Sequence, residues 1–153
     1  MKTLVTGTAF AVITLAAAGL APAQNAPRTL DITWIDVEGG ASTLLVAPSG
    51  ESMLVDTGYA VGDRDAKRIF AATQKAGLRK IDHLVISHFH GDHTGGLAAL
   101  SKMIPVEHFY DHGGNVDAVD QGRLDEYKAV AGAKRTIVKP GDEITMGGVK
   151  TGP

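Results

Sequence analysis

Between Ser87 and Gly96 the chain reads Ser-His-Phe-His-Gly-Asp-His-Thr-Gly-Gly, so His88, His90, Asp92 and His93 fall within six consecutive positions. Neutral imidazole nitrogen and carboxylate oxygen are donor types that suit Zn²⁺. A regular strand sends neighbouring side chains to opposite faces, whereas a loop between a strand and a helix can turn alternate ones toward two adjacent points. A lone His in such a loop reads as a surface residue. Four potential ligands at this density read as a metal site. Gly91 is expected to supply the bend, and Gly95 and Gly96 to let backbone approach closely before the next helix.

A strand must deliver this loop and a helix must receive it, and the flanking residues supply both. His83 to Ser87 is a short β-branched run, and Leu97 to Ile104 reads as a helix ending at Pro105. Upstream, residues 30–37 alternate into a strand. Thr43 to Val46 and Met53 to Val55 form a hairpin around Pro48-Ser49-Gly50-Glu51. Ala66, Ile69, Phe70 and Thr73 recur at helical spacing over 64–76, with Asp63 as N-cap and Gly77 as the stop. Downstream, strands are expected at 106–110 and 136–138 and a helix at 123–131. Pro140-Gly141-Asp142 turns the chain into a strand at 143–146, and Val149-Lys150-Thr151 begins its return strand, expected to lack a partner. This order predicts a mixed α/β fold with helices packed on sheet faces.

With these residues in place, the chain resembles the metallo-β-lactamase superfamily. His88-Phe89-His90-Gly91-Asp92-His93 matches the family's His-x-His-x-Asp-His signature, and Leu54-Val55-Asp56-Thr57-Gly58 resembles its earlier strand-end Asp motif. Asp36-Val37 with Gly40 looks like the opening of the competence-protein-like branch, although Glu38-Gly39-Gly40 stands where that branch usually has Gly-Gln-Gly. The resemblance implies an αββα sandwich, of which this chain is expected to supply an N-terminal, C-terminally incomplete part over residues 24–153. It further implies two Zn²⁺ ions, one on His88 and His90 and a second on Asp92 and His93. Asp56 would orient the metal loop from behind, though Asp-Thr-Gly is also good turn chemistry. The implied reaction is hydrolysis by a metal-activated water, with Asp92 as ligand and catalytic proton shuttle.

A phosphodiester or nucleotide-type ester is the expected small-molecule substrate. A lactam, lactone or thioester hydrolase and a metal-binding module without turnover are the alternatives. His112, in a loop after a strand, is a further candidate for contact with metal or substrate. His83, His108, Trp34, Phe70 and Phe109 are expected to be packing or surface residues.

A net charge of -2 with no basic run gives no bulk-charge affinity for nucleic acid or anionic lipid. The absence of Cys excludes a disulfide framework and lipid attachment through Cys. Lys2, the apolar stretch from Leu4 to Leu20, and Ala21-Pro22-Ala23 have the form of a signal peptide over 1–23. The expected location is the periplasm or the medium, with no other membrane segment.

Overall fold

The computed structural model describes residues 29–114 and 121–151. The segment read as a signal peptide lies outside the described residues. Strands β1 (Asp31–Trp34), β2 (Thr43–Val46) and β3 (Ser52–Val55) form an antiparallel meander. β1 is shorter than the expected 30–37, because the chain leaves the ladder after Trp34 and turns back through Glu38 at φ 57°.

Beyond β3 come α1 (Arg64–Lys75), β4 (Ile81–Val85), the four-residue helices α2 (Gly91–Thr94) and α3 (Leu97–Leu100), β5 (Val106–Asp111), α4 (Gln121–Ala131) and β6 (Arg135–Ile137). Strands β3 to β6 pair in parallel, and the sheet order is β1-β2-β3-β4-β5-β6. Because each crossover steps to the next strand in the same direction, the right-handed rule puts every connecting helix on one face. Leu44, Leu54, Leu84 and Phe109 of the sheet meet Ile69, Leu97, Leu100, Leu124 and Tyr127 of the helices there.

Two expectations about α1 divide. Gly77, at φ 73°, ends the helix, with Leu78 N donating to Thr73 O and Gly77 N to Gln74 O. Asp63 does not cap it: the residue sits at φ 59° after a 3-10 turn, with no side-chain cap bond. The carboxylate that orders this segment is Asp65, fully buried, which accepts from Tyr59 N at 2.7 Å.

On the opposite face β7 (Ile144–Met146) pairs with β8 (Val149–Thr151), so the return strand expected to lack a partner has one. Ile144 and Met146 pack on Met53, with Val55, Val85 and Tyr110 around them. The described residues therefore supply a helix layer, a sheet, and two strands facing that sheet.

Leu44, Leu54 and Ile86 are buried in the helix-side core and Val46 packs against it. Both strands of the hairpin are apolar on both faces, so alternation alone does not say which face receives helices. Trp34, expected as a packing or surface residue, lies on the surface, 77% exposed. Its pairing with Thr43, and that of Ile32 with Leu45, puts both on the face away from the helices. Phe109 is buried and Phe70 packs on the core, as expected. Among the described residues, no helix is long and apolar enough to cross a membrane.

Candidate metal centre

The parallel strands end at one edge of the sheet, and ligands of open parallel sheets gather at such carboxyl ends. β3 runs out into Asp56, β4 into Ser87 and His88, and β5 into Asp111 and His112. The loop after β4 then turns into α2, so His90 stands before the helix while Asp92 and His93 lie in its first turn.

Close backbone contacts seat this loop. Thr57 donates to His93 O from both its amide, at 2.6 Å, and its hydroxyl, at 3.0 Å. Ala41 N donates to Asp92 O at 3.0 Å, and Gly96 N to Gly58 O at 3.2 Å. A Cβ on Gly96 would collide with Thr57 O, and one on Gly40 would stand 2.6 Å from Asp92 O. Gly40 thus lets the β1–β2 loop reach the metal loop, whatever the residues before it.

Asp56 is the hub. Its carboxylate is buried, with Oδ1 accepting from Ser87 N at 2.8 Å, and Oδ2 accepting from Ser87 Oγ at 2.7 Å and lying 2.8 Å from His93 Nδ1. An ionised carboxylate accepts, so His93 carries its proton on Nδ1 and turns the lone pair of Nε2 outward. Nε2 lies 3.4 Å from Asp92 Oδ2. Ser87 Oγ, whose hydroxyl hydrogen is directed to Asp56, accepts from His88 Nδ1 at 3.1 Å. That leaves His88 Nε2 as a lone pair, 3.1 Å from His90 Nδ1. The rings of His88 and His93 are 3.8 Å apart between centroids.

One donor atom each from His88, Asp92 and His93 lies within 4.8 Å of the others. Two lone-pair nitrogens and a carboxylate oxygen gathered this closely fit a cation, and neutral imidazole with carboxylate fits zinc. Burial pushes His88 below the usual imidazole range, the neighbouring His93 and His90 push it further, and Asp56 and Asp92 pull against them. The ring is therefore neutral at pH 7, the form a metal requires.

The other sequence candidates stand apart. His112 is exposed, its ring 5.5 Å from that of Phe89, and it does not join the donor cluster. His83 is buried on the far face between Glu51 and Tyr110, with His108 stacked 5.6 Å away. Two residues that order the site are not singled out by sequence alone: Ser87, the relay between Asp56 and His88, and Asp65, which ties down the segment after Gly58. A Ser before a His-rich loop carries no distinct signal. Asp65 had one, since it precedes Ala66 on the inward stripe of a helix, where a carboxylate needs a partner.

A family model described as "Metallo-beta-lactamase superfamily" matches residues 36–153. An atrochrysone carboxyl ACP thioesterase of Emericella nidulans is 32% identical over 82 residues, which cover 54% of this chain and 26% of that protein. The lactamase-like protein nscB of Aspergillus fumigatus is 32% identical over 110 residues, covering 69% of this chain and 32% of that protein. Among solved structures, the metallo-β-lactamase SMB-1 bound to 2-mercaptoethanesulfonate aligns with a TM-score of 0.58 at 20% identity, covering 82% of this chain and 52% of that one. At that identity the likeness is one of fold. The chain spans about half the length of that structure, and its matches span a third or less of these two relatives.

Proposed function

This chain belongs to the metallo-β-lactamase superfamily, and on that premise we propose that it carries the metal-holding part of a zinc-dependent hydrolase acting on an acyl bond of thioester or lactam type. The observation that carries the proposal is the convergence of His88, Asp92 and His93, one donor atom from each within 4.8 Å of the others, behind which Asp56 fixes the imidazole tautomer. The name thioesterase on a relative 32% identical supports an acyl substrate over the phosphodiester or nucleotide-type ester expected earlier.

In this reading His88 and His90 hold one zinc ion and Asp92 and His93 a second, with donors beyond these four completing both. Zinc bound there supplies Lewis acidity toward the substrate carbonyl and lowers the pKa of its water toward neutrality. The chain's own residues do the rest. Asp56 and Ser87 hold the His93 and His88 rings in the tautomers whose Nε2 atoms face the site. Asp92, half-buried with Oδ2 beside His93 Nε2, is placed to hold a proton and release it to the leaving group.

The test uses the full-length protein, with zinc content by mass spectrometry and turnover of a thioester, a chromogenic lactam and a phosphodiester. Two zinc ions are expected, with thioester or lactam turnover above that of the phosphodiester. The double variant His88→Ala, His90→Ala should lose one ion and, with it, activity by at least about 100-fold. Full metal content and full turnover in the double variant would overturn the site. Zinc uptake with no turnover of any substrate would assign a metal-holding role instead.

A further inference from the structure

α4 packs against α2 and brings Arg123 over the metal loop. A Cβ built on Gly91, the residue between His90 and Asp92, would stand 3.7 Å from Arg123 Nη2 and 3.8 Å from Nε. Gly91 was expected to serve the bend, and the structure gives it a different part. It does not have a positive φ, and a side chain there would meet Arg123 only at ordinary contact distance. Neither backbone nor packing demands glycine at this position. Its effect is to leave a gap between the metal loop and two N–H groups of a guanidinium.

Arg123 is held in place without being committed. Its Nη1 pairs with Glu126 Oε2 at 3.0 Å, one turn along α4, and both side chains are more than a third exposed. A pair of that kind contributes little and exchanges readily for another anion. The edge of the guanidinium formed by Nη2 and Nε is the edge that takes a carboxylate or phosphate in a two-point bond. Beside residues that gather metal cations, a further fixed cation is repelled unless an anion lies between them.

Resting on the hydrolase reading above, we propose that Arg123 is a specificity residue, and that the substrate carries an anionic oxygen group, carboxylate or phosphate, that docks on Nη2 and Nε across Gly91. The anion is a part of the substrate that does not react. Its contacts act in ground state and transition state alike, so the loss of Arg123 raises KM more than it lowers kcat.

The experiment compares the zinc-loaded full-length protein with Arg123→Gln and Arg123→Lys, after equal zinc content and equal helical signal by circular dichroism are established. Three thioesters of matched length are used, ending in a methyl, a carboxylate or a phosphate group. The unaltered protein should prefer one of the anionic pair, which identifies the group. Arg123→Gln should lower kcat/KM for that substrate by roughly 10- to 100-fold, mostly through KM, and for the neutral one by less than about threefold. Arg123→Lys should recover part of the loss, as a point charge without the planar fork. Equal losses on neutral and anionic substrates, or no preference in the unaltered protein, would overturn the proposal. A second readout needs no turnover: inorganic phosphate and acetate are titrated calorimetrically into the zinc-loaded proteins. Weaker binding in Arg123→Gln supports the anchor even where no thioester is cleaved, which would count against the hydrolase reading alone. Unchanged affinity for both anions sinks the anchor whatever the turnover.

Discussion

Asp56 concentrates more of the site's order than any of the metal-donor candidates. Its backbone sits at φ 63°, a left-handed conformation that Asp tolerates better than most residues, and its carboxylate serves Ser87 twice and His93 once. Asp56→Asn retains the shape and that tolerance. It gives up one acceptor oxygen for an NH₂ group, which cannot satisfy Ser87 Oγ and His93 Nδ1 together. The expected result is a fall in zinc affinity of about 10- to 100-fold with the fold retained. A competition titration against a chelator measures the affinity, and circular dichroism checks the fold. Unchanged affinity would reduce Asp56 to a turn residue. At this scale the grouping of His88, Asp92 and His93 was legible, because so dense a set of potential donors has little other use; His90, expected with them, does not join that group. Ser87, Asp65 and Arg123 were not, since a single polar residue gains meaning only from what folding brings beside it.

At the scale of elements, the start of β4 is tied to the start of β3 by Asp82. Its Oδ2 accepts from Ser52 N and Ser52 Oγ, both at 2.9 Å, and its Oδ1 pairs with Lys80 Nζ at 2.8 Å. Burial pulls the Asp82 carboxyl upward, but the bonds from Lys80 and Ser52 outweigh it and hold the group below the usual carboxylate range. A carboxylate whose folded-state pKa is depressed contributes stability that is present above its unfolded value, about 3.9, and lost as pH falls through the folded value. Asp82→Asn should therefore cost about 1–2 kcal/mol at pH 7, and the gap to the unaltered protein should narrow steadily below about pH 4. Urea unfolding at several pH values reads both. A gap independent of pH would show that the carboxylate's charge plays no part. Most elements were legible from their periodicity, including the β2–β3 hairpin and α1. The four-residue α2 was not, because one turn has no period to detect. Nor was the choice of buried face in β2 and β3, where Leu44 and Leu45, and Met53 and Leu54, are apolar neighbours that point to opposite faces.

For the whole molecule, the two sheet faces differ in how they are closed. The helix side is sealed by α1, α3 and α4, while the other side is covered by β7 and β8 over Met53, Val55, Val85 and Tyr110. Trp34 and Ile32 stay exposed on that second face. Met146 is fully buried against the sheet, and the Gly147 amide donates to Glu51 Oε2 at 2.5 Å, while the other oxygen of Glu51 lies 2.8 Å from His83 Nε2. Gly147, at φ 53°, lies so close to Ser49 and Ala47 that its turn and the β2–β3 turn fit only without a side chain there. Met146→Ala removes the largest apolar group of this contact, where so thin a layer has little means of refilling the space. The expected loss is about 2–4 kcal/mol of stability, measured by urea denaturation followed by circular dichroism. Because the contacts that seat the metal loop, from Thr57, Ala41 and between Gly96 and Gly58, involve no residue of the β7–β8 hairpin, zinc affinity under native conditions should change by less than about threefold, well inside the loss expected for Asp56→Asn. A variant that loses zinc affinity in proportion to its stability would show that the hairpin and the metal loop open as one unit.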